Sequence, residues 1–194
     1  MKHVTRMRLC GLPVAMAGLL CTFAASADTV TPGEEGELAR FLPPVEGKRV
    51  CFARVYDADH LAKHPKQKVT QIEFRLAYHR FEPDENFPQG QRNYYFEVLA
   101  KVRGEKKLLS SMGECSPRGS TISCSVDCDG GGMVAKRSAK PGKILVSFGG
   151  YYGLRMTLGC GEDEEGNTVT LEPGEDDKEF LLSETSACPA YEEW

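Results

Sequence analysis

The sequence lacks the short signatures by which common enzymes announce themselves. There is no G-x-S-x-G, so the strained nucleophile elbow of serine hydrolases is excluded, and no C-x-x-C, which excludes the thioredoxin kind of redox pair. "FGGYYG" is glycine-rich but has no Lys-Ser/Thr after it, so it cannot work as a P-loop. Histidine is scarce, with four in the chain, and the "DADH" carboxylate–imidazole neighbourhood is too common to name a general base. No internal repeat and no second domain are visible. Cations are the minority charge, 24 against 28 acids. The expected protein is one that catalyses nothing and binds a ligand or a partner.

What is present begins with an export signal. Residues 1–27 read as a basic start (Lys2, Arg6, Arg8), an apolar run and an Ala25-Ser26-Ala27 exit, the plan of a signal peptide cleaved before Asp28. The uninterrupted apolar stretch is shorter than the roughly 20 residues of a membrane-spanning helix. Leu20 ahead of Cys21 does not suit a bacterial lipid anchor. Cleavage removes three cations and no acid, so the formal charge falls by three from −4 to −7. An acidic exported chain disfavours nucleic acid and leaves a basic protein, a cation or a small ligand as partner. The periplasm, or secretion beyond it, is the expected destination, with no stable membrane insertion after cleavage.

Cys10 and Cys21 leave with the signal. Cys51, Cys115, Cys124, Cys128, Cys160 and Cys188 remain, an even set that reads as a disulfide framework in an oxidising compartment. Residues 28–47 are polar and rich in Pro and Gly, and are expected as a flexible leader ahead of a single β domain over 48–194. From there the chain alternates with period two. In "QIEFRLAYHR", Ile72, Phe74, Leu76 and Tyr78 share one face. "NYYFEVLAKV" repeats the pattern with Tyr94, Phe96, Val98, Ala100 and Val102. With "VCFARV", "KLLSSMGEC", "STISCSVDC", "GMVAKR", "KILVSF", "GLRMTLGC" and "EFLLSE" this gives about eight or nine antiparallel strands. They fit an all-β sandwich or a small closed barrel. The acidic loops "GEDEEGN" and "GEDD" read as solvated surface.

One short helix is expected over 57–64, where Asp57 can cap and Pro65 forbids continuation. It sets His60 and His64 one turn apart, where they can share a zinc or copper ion, with Asp57 or Asp59 able to add an oxygen. The Glu of H-E-x-x-H is absent, and nothing in sequence brings His79 near. Tyr151 and Tyr152, between glycines, are candidate binding rings; one packed ring in a turn is the plainer expectation.

The hairpin "ECSPRGSTISC" is the most informative stretch. Gly119-Ser120 suits a two-residue type II′ turn, which fixes Arg118 opposite Thr121, Pro117 opposite Ile122 and Cys115 opposite Cys124. Proline then sits where no ladder donor is needed, and the two cysteines face one another at bonding distance. The expected bridge is Cys115–Cys124. If the strand runs on through "SVDC", Cys128 lies about 13 Å from Cys124 at about 3.3 Å per residue, too far to bond or to share an ion. First and last strands neighbour one another in closed β folds, which suggests Cys51–Cys188 and leaves Cys128–Cys160. "DCDGGG" opens like a calcium loop but lacks the later oxygens and the closing Glu. In size, acidity and bridges the chain is similar in character to periplasmic inhibitors of lysozyme, without a shared motif. That likeness implies inhibition of a basic hydrolase as the alternative function.

Overall fold

The computed structural model describes residues 30–88, 90–127, 130–157 and 168–189. Two short helices, α1 (Leu38–Phe41) and α2 (Ala58–Lys63), accompany ten strands. These are β1 (Arg49–Val55), β2 (Val69–Phe81), β3 (Gln91–Val102), β4 (Leu109–Arg118), β5 (Thr121–Ser125), β6 (Gly132–Arg137), β7 (Lys143–Ser147), β8 (Leu154–Thr157), β9 (Thr168–Leu171) and β10 (Glu179–Thr185). Eight of them, β1 to β7 and β10, run in the order β3-β2-β1-β10-β7-β6-β5-β4, and a further β4–β3 pairing closes the ring. The fold is therefore the closed antiparallel barrel of the two expected architectures. The β8–β9 hairpin hangs on β4 and on Gly131.

Alternation decides what fills the barrel. Ile72, Phe74, Leu76 and Tyr78 on β2 and Tyr94, Phe96, Val98, Ala100 and Val102 on β3 are all buried, as their period requires. Register sets Leu76 beside Phe96 and Tyr78 beside Tyr94. An eight-stranded barrel is just wide enough for side chains to fill or for one small ligand. Here Phe74 and Phe96 lie 6.5 Å apart, Tyr78 and Tyr94 5.2 Å, and Phe148 and Phe180 5.6 Å, so aromatic rings occupy the interior. Burial pushes the Tyr94 phenol well above its usual range, and its hydroxyl donates to the Leu42 carbonyl.

Residues 30–42 of the expected flexible leader (28–47) are packed on the domain, while 43–47 are exposed. The Val30 N–H donates to Arg92 O, and Val30, Leu38, Phe41 and Leu42 join the core. The polar composition hid an i, i+3, i+4 apolar cluster, Leu38, Phe41 and Leu42, enough for one helical turn to bury against the barrel end.

The 115–124 hairpin has the expected register, Cys115 opposite Cys124 and Pro117 opposite Ile122, with Gly119 at φ 61° as a type II′ turn needs. The Cys115–Cys124 disulfide lies inside the barrel, both residues fully buried. Cys51–Cys188 joins β1 to the chain just after β10, at the seam where the first and last barrel strands meet. Cys128 and Cys160 lie outside the described residues, as does the signal segment. One detail differs from expectation: β5 ends at Ser125, and Val126 N–H donates to Gly131 O in a return loop. The strand thus does not run on through Val126 and Asp127, and Cys124 is bonded to Cys115. Strand β9 was hidden because only Leu171 of its four residues is buried, between two acidic loops.

Candidate functional site

Helix α2 forms as its cap dictates. Asp57 Oδ1 accepts from the His60 N–H at 2.7 Å, and the helix stops at Lys63 ahead of Pro65. The rings of His60 and His64 stack at 4.4 Å, with Tyr56 4.7 Å beyond His60. His60 Nε2 sits 3.0 Å from Gln67 Oε1, and His64 Nδ1 is 3.6 Å from Asp176 Oδ1. Asp57 and Asp59 stay exposed on the helix. His79 is elsewhere, near the far end of β2, 2.8 Å from Glu46 Oε1. Among the described residues no three or more His, Cys, Asp or Glu side chains are grouped to hold a metal.

The loop containing "GEDD" is not merely solvated. Asp177 is 4% exposed and accepts from the backbone N–H groups of Lys68 (2.6 Å) and Val69 (3.3 Å), fixing the start of β2. Burial raises its pKa, and those two donors pull it partly back. Asp176 accepts from the Lys66 N–H, and Glu175 pairs with the Lys66 ammonium. A second buried charge set lies on the outer face of β2 and β3. Arg75 reaches Glu73 at 2.8 Å and Glu97 at 2.7 Å, and burial raises the Glu97 pKa against the lowering pull of Arg75.

A concavity lies on the outside of the barrel, across β4 to β7 and β10. Register places two rows there. Arg118, Thr121, Lys136 and Leu145 form one; Ser116, Ser123, Val134, Ser147 and Glu179 form the next. The second row is mostly serine, so long side chains at one end and the 148–152 turn at the other stand above a low floor. The result is a groove of about 320 Å³ floored by the half-buried Val134 and Leu145. Arg118 and Lys136 stand on one side, Gly149 and Gly150 on the other, and Glu179 at the β10 end.

The two candidate tyrosines follow Gly149 and Gly150 of the groove edge in the same turn. Tyr151 turns its ring over Gly132 and shares a 2.5 Å hydrogen bond with Ser123 Oγ. A Cβ at Gly132 would lie 2.8 Å from that ring and 2.5 Å from Cys124 O, so only glycine permits the approach. Tyr152 is fully exposed. The turn thus spends one ring on packing and presents the other to solvent. Sequence reading found the tyrosines but missed Arg118, Val134, Lys136 and Leu145. A signal was there: "MVA" and "ILV" are apolar on both strand faces, and the outward members floor the groove. No protein-family model, curated protein or solved structure matches the chain.

Proposed function

We propose that the protein is an exported, non-catalytic binding domain that takes a protein partner in the groove on the outer face of β4 to β7 and β10. The observation that carries this reading is the contrast between inside and outside. Aromatic rings pack in the barrel interior, while the outer face offers a concave surface with an apolar floor and polar rim. Two disulfides fit an oxidising compartment, and with the signal plan of residues 1–27 they support the periplasm as the site of action.

A photo-crosslinking residue at position 145 tests this in cells. It should give one discrete protein adduct that the same residue at the exposed position 101, on the outer face of β3, does not give. Equal adducts at both positions, or none at 145, refute the reading. A second reading is metal binding by His60 and His64, which lie one turn apart with Asp176 Oδ1 3.6 Å from His64 Nδ1.

A further inference from the structure

We infer that the partner's contribution to the groove is an acidic segment of polypeptide; this rests on the groove reading above and names the chemistry that the groove takes. The chain is acidic overall, yet the groove carries two cations, Arg118 and Lys136, in one of its own rows. Arg137 and Lys143 line a separate concavity with Arg40 and Glu184. Neither Arg118 nor Lys136 enters an ion pair among the described residues, whereas Arg40, Lys66 and Arg75 all do. Glu179 at the β10 end is the acidic residue of the groove lining. Clustered like charges repel, and their field focuses in a concave site, so an anionic occupant relieves the first and is drawn by the second.

Spacing favours an extended chain. Arg118 and Lys136 stand on strands two apart, β4 and β6, about 10 Å at about 4.8 Å per strand. Alternate side chains of an extended peptide repeat at about 6.8 Å, within reach of both flexible cations. Val134 and Leu145 then receive the methylenes or the apolar residue between the carboxylates. A bilayer is the poorer fit, because a flat surface cannot reach a floor set between Arg118 and the 148–152 turn. The sign is opposite to the basic partner that net charge alone suggests, since net charge averages over a surface that is locally basic here.

The test is fluorescence anisotropy with the disulfide-bonded mature protein and three labelled peptides of equal length: alternating Glu-Val, Gln-Val and Lys-Val. The Glu-Val peptide should bind best and weaken with added salt. The exposed charge reversals Arg118→Glu and Lys136→Glu together should cost it about tenfold or more, while Lys106→Glu with Lys107→Glu, in the β3–β4 loop, should cost nothing. No binding of Glu-Val, equal loss in both variants, or binding of phosphatidylglycerol vesicles in its place would overturn the inference. If Gln-Val binds as tightly as Glu-Val and Leu145→Asp abolishes it, the acidic inference fails and the groove reading survives. If no peptide binds and the position-145 crosslink also fails, both fall.

Discussion

Opening the barrel seam gives the most quantitative prediction. Cys51–Cys188 spans a sequence separation of 137, against 9 for Cys115–Cys124. In the chain-entropy description, removing the long link frees the unfolded chain by about 5 kcal/mol, and removing the hairpin link by about 2.7 kcal/mol. A domain of this size holds only about 5–15 kcal/mol in all, so Cys51→Ala/Cys188→Ala should be close to the edge of folding. The assay is urea unfolding of the mature chain followed by far-UV circular dichroism. At slopes of about 1–3 kcal/mol/M, the midpoint should fall by about 2 M or more. The slope itself should rise, because a long cross-link compacts the denatured ensemble, and a short hairpin link barely does. Cys115→Ala/Cys124→Ala should leave the slope unchanged, although losing two fully buried sulfurs adds a packing cost to its own entropic loss. A loss under about 1 kcal/mol for the Cys51/Cys188 pair, or an unchanged slope, would refute the view that this bond clamps the seam through the unfolded state.

Other expectations follow from particular side chains. Asp177 has a folded-state pKa raised by burial, so the folded chain holds its proton longer than the unfolded one. Stability relative to Asp177→Asn should therefore be fully present below the unfolded value of 3.8 and decline as pH rises through the raised folded value. Chemical denaturation across that range checks the sign, and a rise with pH would contradict it. Gly132→Ala should cost about 1–3 kcal/mol by overpacking and expose Tyr151, read by urea unfolding and by solvent quenching of tyrosine fluorescence. An unchanged midpoint would show that the Tyr151 ring is not held there. The metal reading predicts that zinc or copper raises the thermal midpoint of untagged protein and that His60→Ala/His64→Ala abolishes the rise; a midpoint that ignores both ions sets it aside.

Local chemistry made some of this architecture legible. The alternation of β2 and β3 identified their inward faces, and Gly119 with two cysteines and a proline fixed one hairpin residue by residue. Barrel against sandwich was not legible, because closure depends on the β3–β4 and β1–β10 pairings, and the register between β1 and β10 joins residues more than a hundred positions apart. Residues 30–42 were misjudged because four buried apolar side chains were diluted among polar ones. The groove escaped for a different reason. It is assembled from the outward positions of five strands, each unremarkable alone, and its basic character emerges only when Arg118 and Lys136 are brought into one row. Tyr151 and Tyr152 were visible as a pair, but their division into a packed ring and an exposed one needed Gly132 beneath the first.

The central claim is that the protein binds on the outer face of β4 to β7 and β10 and not within its barrel. Amide chemical-shift mapping of the disulfide-bonded mature protein during titration with the Glu-Val peptide tests it most directly. The account predicts shifts concentrated at Thr121, Val134, Lys136, Leu145 and Ser147, with the interior positions Phe74, Phe96 and Phe180 unmoved. Shifts confined to the α2 region around His60 and His64, or no shifts at all, would contradict it.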